Sequence, residues 1–172
     1  PRALAAAPSR MPRLLGELID AQPDVVVMQE MDSVWYDRFW EPSLRAMGYD
    51  ARYTLKQSVS SSEGLALAVR RDALSIEHFE SVPLSLDEPS AAIRSFLDAH
   101  EPTRRAIQKL PTVGQLAMLR QGDRQLLVIN SHLYFANPAV HVRSLQTAAL
   151  LDAAVAHMGS QPTGVIFAGD LN

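Results

Sequence analysis

Three absences narrow what this 172-residue sequence encodes. It contains no cysteine, which excludes disulfide bonds, a thiolate nucleophile and a cysteine-ligated zinc site. No apolar run approaches the roughly 18 residues that a membrane-spanning helix needs. No basic block is present, because the 16 Lys and Arg and the 19 Asp and Glu are well mixed. A long nucleic-acid-binding face is therefore not indicated, although a metal site could supply positive charge locally.

The sequence does contain enough apolar material for one core. Hydrophobic residues make up 47% of the chain, and the length suits a single domain. Apolar strand-like runs alternate with amphipathic helical stretches, which predicts an α/β fold. The absence of cysteine fits an intracellular setting, which we expect for this protein, and no signal peptide is visible. The chain begins at Pro1 without a methionine and ends on a polar motif, so we expect it to be a segment of a longer protein.

Polar side chains follow three of the apolar runs, at the points where buried strands are predicted to end. Val25–Met28 leads into Gln29-Glu30, Leu126–Ile129 leads towards Ser131-His132, and Val165–Ala168 leads through Gly169 to Asp170 and Asn172. A carboxylate at the end of an apolar strand is costly to desolvate unless a cation or hydrogen bonds compensate it. Carboxylate, carboxamide and imidazole donors suit Mg²⁺ or Mn²⁺ more than zinc. We therefore predict a divalent-metal site near these strand ends.

Each of these residues also has a simpler interpretation. Glu30 could cap the helix that follows it, and His132 could be an ordinary core or surface histidine. Asp170 and Asn172 could belong to a plain strand-to-turn exit, because Gly, Asp and Asn are common turn residues. The recurrence of polar groups at three strand ends favours the interpretation as a site.

Two further segments are predicted from their patterns. A helix beginning at Asp32 or Ser33 places Trp35 and Phe39 one turn apart on its inner face. Residues 81–111 are the least regular part of the chain and are interpreted as an insertion or lid over the sheet. Within them we predict a helix with three inward-facing side chains: Ile93, Phe96 and Leu97.

Three short motifs resemble those of the endonuclease/exonuclease/phosphatase superfamily. Val26 to Asp32, VVMQEMD, resembles the LQEvD motif; Ser131-His132-Leu133 resembles the THL motif; and Gly169 to Asn172, GDLN, resembles the GDFN motif. The three occur in the family's order and with plausible spacing. This ordered set is more specific than any one motif.

Within that superfamily, the chain looks most like the deadenylase branch, and most like its 2′,5′-phosphodiesterase type. The supporting residues are Lys56-Gln57 ahead of Glu63-Gly64, His132-Leu133-Tyr134, and Arg143 with Leu145-Gln146. The resemblance covers about residues 10–172 and is weakest between Ser81 and Pro111.

The resemblance implies a fold and a function. The fold would be α/β, a two-sheet β-sandwich flanked by helices in the four-layer, DNase I-like arrangement, and incomplete at both ends. The activity would be that of a Mg²⁺-dependent phosphodiesterase or exoribonuclease, with Mn²⁺ as a substitute. It would release AMP from RNA or oligoadenylate with 2′,5′ or 3′,5′ linkages. The family suggests the mitochondrion or the cytoplasm.

The resemblance also implies roles for individual residues. Glu30 would hold the metal against the scissile phosphate, and Asp170 would orient or help deprotonate the attacking water. Asn172 would donate a hydrogen bond to the phosphoryl oxygen or the nucleophile. His132 would stabilise charge on the non-bridging oxygens. Lys56 would contact the substrate unless it is a solvated loop lysine, while Arg143 and Gln146 would brace the loop after His132.

Two departures from the family pattern leave alternatives open. Family members carry an Asn on an earlier strand and an Asp-His pair well beyond GDFN, and neither lies within these 172 residues. We therefore expect this chain alone to be inactive or nearly so. The alternatives are an inositol-phosphate or sphingomyelin-type phosphoesterase of the same superfamily, and a catalytically degenerate binding or scaffold domain.

Overall fold

The computed structural model describes residues 7–58, 61–158 and 163–172. Their strands are β1 (Val25–Asp32), β2 (Tyr49–Leu55), β3 (Glu63–Arg70), β4 (Ser75–Pro83), β5 (Val113–Gln121), β6 (Arg124–His132) and β7 (Thr163–Asp170). Their α-helices are α1 (Ala7–Ala21), α2 (Ser33–Trp35), α3 (Glu41–Ala46), α4 (Ala91–Ala99), α5 (Glu101–Ile107) and α6 (Val140–His157), with a π-helical turn at Tyr36–Trp40 between α2 and α3.

The strands form two sheets. Sheet A has the order β1-β3-β2 and is antiparallel, and sheet B has the order β4-β5-β6-β7. Within sheet B, β6 and β7 run parallel, whereas the other neighbours are antiparallel. The parallel pair needs a crossover connection, which α6 supplies. As a result, the carboxyl ends of β6 and β7 lie side by side.

Apolar side chains fill the space between the sheets and cover their outer faces. Leu67 and Val69 from sheet A pack with Ala117, Leu119 and Val128 from sheet B. The outer face of sheet A is covered by α1 and the segment 33–46. The outer face of sheet B is covered by α6. The predicted two-sheet sandwich with flanking helices is confirmed.

The segment between β4 and β5 has its own apolar contacts. Ile93 and Leu97 of α4 and Ile107 of α5 are buried together with Val142 of α6. The prediction for Phe96 was wrong: its side chain is 40% exposed and stacks on the His100 ring, with centroids 4.2 Å apart. The 93/97 face of the helix points inward, and Phe96 lies beside it on the next face. The interpretation of residues 81–111 as an insertion or lid stays a prediction.

The prediction for Trp35 was also wrong, because its side chain is 36% exposed. The turn that follows is π-helical and has a wider repeat than an α-helix, which shifts the buried face. Tyr36 and Trp40 are therefore the side chains that enter the core, and Phe39 packs partly buried against them.

None of the described helices is both long enough and apolar enough to cross a membrane.

Candidate active site

Glu30 stands on an irregularity of β1. Met28 pairs with Ala66 and Met31 pairs with Gly64, so Gln29 and Glu30 together oppose a single residue of β3. This is the geometry of a β-bulge, which re-aims side chains at the end of a strand. Glu30 has φ +54°, a left-handed conformation that is uncommon outside glycine, and its side chain is exposed.

The neighbouring Gln29 turns inward and joins a buried polar network between the sheets. Its amide donates to Asn130 Oδ1 at 2.8 Å, and Asn130 Nδ2 donates to Gln115 Oε1 at 2.9 Å and to the Ala66 carbonyl at 3.1 Å. Gln115 Nε2 in turn donates to Thr54 Oγ1 at 3.1 Å. Asn130 and Gln115 are fully buried, so these bonds fix β1 against β6 close to Glu30.

Asp32 caps the helix that follows β1. One carboxylate oxygen accepts the N–H groups of Val34 at 3.0 Å and Trp35 at 3.2 Å, and the other accepts the Ser62 hydroxyl at 2.5 Å. The Ser62 hydroxyl and the Trp35 N–H lower the pKa of the Asp32 carboxyl. The residue that caps this helix is therefore Asp32 and not Glu30.

Tyr53 of β2 hydrogen-bonds to the backbone at the end of β1. Its hydroxyl lies 2.9 Å from the Met31 carbonyl oxygen and 3.1 Å from that of Ser62. A Cβ at Gly64 would lie 2.2 Å from the Thr54 carbonyl oxygen and 2.6 Å from the Tyr53 hydroxyl oxygen. Only glycine therefore lets the Tyr53 ring lie across β3 at this point. This contact explains why glycine follows Glu63 in the motif.

The ends of β6 and β7 bring three of the predicted residues together. His132 and Asp170 are register partners, and the Leu133 N–H donates to the Asp170 carbonyl at 2.9 Å. Asn172 Nδ2 donates to the Leu133 carbonyl at 2.8 Å, and the Asn172 N–H donates to Asp170 Oδ1 at 3.0 Å. His132, Asp170 and Asn172 thus occupy one edge of sheet B, and β1 packs against this pair of strands.

Gly169 permits this close approach. It has φ +135°, and a Cβ at this position would lie 1.9 Å from the Ser131 carbonyl oxygen. No side chain is compatible with that distance, so glycine is required where β7 meets the end of β6.

The sequence matches a known family over nearly its whole length. Residues 3–172 match the profile described as the endonuclease/exonuclease/phosphatase family. The chain belongs to that family. The sequence-based prediction of family membership is therefore confirmed.

Several relatives within this family are similar to the chain. It is 28% identical over 152 residues to the CCR4-Not complex 3′-5′-exoribonuclease subunit Ccr4 of Yarrowia lipolytica, covering 83% of the chain and 21% of the relative. It is 26% identical over 171 residues to 2′,5′-phosphodiesterase 12 of Homo sapiens, covering 91% and 26%. The chain thus spans less than a third of the length of these curated relatives.

Two solved structures share the fold. ANGEL2, described as a 2′,3′-cyclic phosphatase, superposes with a TM-score of 0.80 at 22% identity, covering 100% of this chain and 46% of that one. The human Nocturnin catalytic domain has a TM-score of 0.79 at 19% identity, covering 99% and 59%. At these identities the comparison supports the family fold alone.

Lys56 lies beside His132, although far from it in sequence. The two residues line a small cleft of about 110 Å³ together with Tyr134 and Phe135. Lys56 Nζ pairs with Glu63 Oε2 at 2.9 Å, so part of its charge is already neutralised. The placement is compatible with substrate contact and with a structural ion pair, and the role of Lys56 stays a prediction.

Arg143 and Gln146 both hydrogen-bond to the loop after His132. Arg143 Nη1 donates to the carbonyl oxygens of Tyr134 at 3.2 Å and Ala136 at 3.1 Å, and Gln146 Oε1 accepts the Tyr134 N–H at 3.0 Å. Gln146 is fully buried. These contacts are those expected of bracing residues, whose effect on catalysis stays a prediction.

The donor set at this site fits Mg²⁺ or Mn²⁺. Glu30 and Asp170 offer exposed carboxylate oxygens, and Mg²⁺ is commonly held by one or two carboxylates with water completing its shell. Glu30, His132 and Asp170 do not form a compact three-ligand cluster within the described ranges. An ion held in the Mg²⁺ manner needs no such cluster, whereas a three-ligand zinc site does.

Sequence reasoning missed several residues near the site. Gln29 and Asn130 had a signal, because each is a polar residue placed against an apolar run. Phe135 is 74% exposed and lines the cleft beside His132, and nothing in its local sequence distinguishes it from a core aromatic. Ser131 Oγ and His132 Nδ1 are buried without a hydrogen-bond partner among the described residues.

Proposed function

We propose that this domain belongs to a Mg²⁺-dependent phosphodiesterase that acts as an exoribonuclease on oligo- or polyadenylate and releases AMP. The observation that carries the proposal is the meeting of His132, Asp170 and Asn172 at adjacent strand ends, with Glu30 on the bulge of β1 and its neighbour Gln29 bonded to Asn130 of β6. The exoribonuclease and 2′,5′-phosphodiesterase relatives support an RNA substrate.

The proposed chemistry divides among these residues. Mg²⁺ bound at Glu30 would neutralise the phosphate and act as a Lewis acid. Asp170 keeps one carboxylate oxygen free of the Asn172 N–H, and that oxygen would orient the attacking water and accept its proton. His132 and the remaining N–H of the Asn172 amide would donate to the oxygens on which negative charge develops.

The Phe135 ring would stack against a nucleobase bound in the cleft beside His132. An exposed aromatic ring next to a proposed phosphate site provides a stacking surface, and each stacked base is worth about 1–3 kcal/mol. Lys56 lines the same cleft and would contact a phosphate of the substrate.

The test measures AMP release by the full-length protein in which this sequence occurs. Oligoadenylates of equal length with 2′,5′ or 3′,5′ linkages are supplied with Mg²⁺ or with EDTA. Glu30→Gln keeps the size of the side chain and removes its charge. Glu17→Gln is the matched control, because Glu17 is also exposed and lies with Glu30 along a groove between α1 and β1.

We expect AMP release that requires Mg²⁺, and a fall in kcat of about 100-fold or more in Glu30→Gln against no change in Glu17→Gln. Phe135→Ala is expected to raise KM about tenfold with kcat kept, whereas Phe96→Ala, also exposed, leaves KM unchanged. A folded protein that cleaves neither RNA but hydrolyses an inositol phosphate or sphingomyelin would refute the proposal. Binding of RNA without turnover would favour the scaffold alternative.

A further inference from the structure

Two histidines and a glutamate meet on the outer face of sheet B, away from the candidate active site. His78 and Glu80 lie on β4, and His157 is the last residue of α6. One donor atom from each lies within 4.8 Å of the other two. We infer that His78, Glu80 and His157 form a transition-metal site, with Zn²⁺ as the favoured ion.

The backbone places these three side chains on one face. His78 pairs with Met118 and Glu80 pairs with Leu116, and cross-strand partners share a face of the sheet. Leu116 and Met118 belong to the cluster that packs under α6. His78 and Glu80 therefore point towards the helix, whose final residue completes the set. Because β4 and β7 are the opposite edges of sheet B, this cluster is separate from Asp170.

The distances within the cluster suit a zinc ion after small side-chain movements. His157 Nε2 already hydrogen-bonds to Glu80 Oε2, and His78 Nε2 lies 3.9 Å from the same oxygen. The two imidazole rings lie with centroids 4.4 Å apart. A tetrahedral zinc with bonds of about 2.0–2.1 Å holds its ligand atoms about 3.4 Å apart. Adjustment of partly exposed side chains by about 1 Å would reach that arrangement.

The surroundings favour a cation. The groove that begins at Glu80 is also lined by three more acidic residues, Asp87, Glu88 and Asp152. The carboxyl end of α6 adds the partial negative charge of its terminal carbonyl groups. The nearby Glu77 contributes little, because it is paired with Arg120.

The ligand types select the kind of ion. Two imidazoles and one carboxylate are the ligand set of His₂Glu zinc sites, in which water fills the remaining position. Imidazole suits zinc, copper and nickel, whereas Mg²⁺ prefers a shell of oxygen. This site would thus take a different ion from the one proposed at Glu30. The bound ion would fasten the end of α6 to the edge strand β4.

A simpler interpretation is an ordinary ion pair between His157 and Glu80. Such a pair needs only two residues, and it would give no selective affinity for zinc. Calorimetric titration of the full chain with Zn²⁺, in wild type and in the variants His78→Gln and His157→Gln, distinguishes the two. His141→Gln is the matched control, because His141 is an exposed histidine on the same helix. Glu30→Gln tests whether the ion goes to the candidate active site instead.

We expect one Zn²⁺ per chain, with affinity reduced more than about tenfold in His78→Gln and in His157→Gln and unchanged in His141→Gln and Glu30→Gln. The visible absorption of bound Co²⁺ is a second test that needs only the wild-type protein, because a four- or five-coordinate Co²⁺ site absorbs visible light far more strongly than an octahedral one. Circular dichroism verifies that each variant is folded. Equal zinc affinity in wild type and both histidine variants would overturn the inference, as would loss of binding in Glu30→Gln or the lack of a Co²⁺ band.

Discussion

Asn130 is the residue whose replacement tests most directly how the two sheets are held together. Its side chain has no exposed surface and bonds to Gln29, Gln115 and the Ala66 carbonyl. Truncation to alanine leaves each of these three partners without one hydrogen bond in a buried place. An unsatisfied buried group costs about 1–3 kcal/mol, and water entering the vacated space would recover part of it. We expect Asn130→Ala to lower the free energy of unfolding by about 3 kcal/mol.

Urea denaturation followed by tryptophan fluorescence and by circular dichroism measures this loss. The control is Gln108→Ala, which removes a carboxamide from an exposed position and should change stability by less than about 0.5 kcal/mol. A change in Asn130→Ala as small as that of the control would show that the buried network contributes nothing. The assigned hydrogen bonds would then be wrong.

The double variant with Gln115→Ala tests the bond between the two residues. Each single variant leaves the other amide short of one hydrogen bond, but the double variant removes both ends of the same bond. The two losses should therefore add to more than the loss in the double variant, with a coupling of about 1–2 kcal/mol. Additive losses would mean that Asn130 and Gln115 do not interact.

Two further predictions concern β2 and β3. Gly64→Ala should destabilise the fold by about 3 kcal/mol or more, because its Cβ would lie 2.2 Å from the Thr54 carbonyl oxygen. The control is Gly16→Ala, which should stabilise α1 by about 0.5–1 kcal/mol because a Cβ there meets nothing within 4 Å. Equal unfolding midpoints for the two variants would contradict this prediction. Burial raises the pKa of Tyr53 from 10.0 to about 12, so the stability that the neutral phenol contributes is complete below pH 10 and is lost as the pH rises towards 12. Denaturation across that range should show a smaller loss in Tyr53→Phe than in wild type, and parallel curves would refute the assignment.

Strands that contain a continuous apolar run could be predicted from sequence. The three runs predicted to be buried strands, Val25–Met28, Leu126–Ile129 and Val165–Ala168, fall within β1, β6 and β7. The helix predicted around Ile93 and Leu97 is α4. Strand β4 had no such signal, since an edge strand with a solvated face needs few apolar residues. The strand order within each sheet depends on contacts between distant segments, which no local pattern encodes.

Of the candidate site, the local sequence predicts only the polar residues that directly follow an apolar strand. The bulge that turns Gln29 inward and Glu30 outward arises from pairing with β3. The bond between Gln29 and Asn130 joins residues 101 positions apart, so it follows from the packing of the sheets rather than from either local sequence. The cleft that brings Lys56 near Phe135 has the same origin.

Backbone geometry explains why the network matters for the site. Glu30 with φ +54°, Asn172 with φ +55° and Gly169 with φ +135° are all in left-handed or related conformations. Glycine adopts such a conformation readily and asparagine tolerates it, whereas glutamate has no local reason to do so. A residue in a sparsely populated conformation persists only when its surroundings over-determine it. For Glu30 those surroundings are the pairing of β1 with β3 and the anchor of Gln29 on Asn130, so the position of the proposed metal ligand depends on a buried amide that touches neither metal nor substrate.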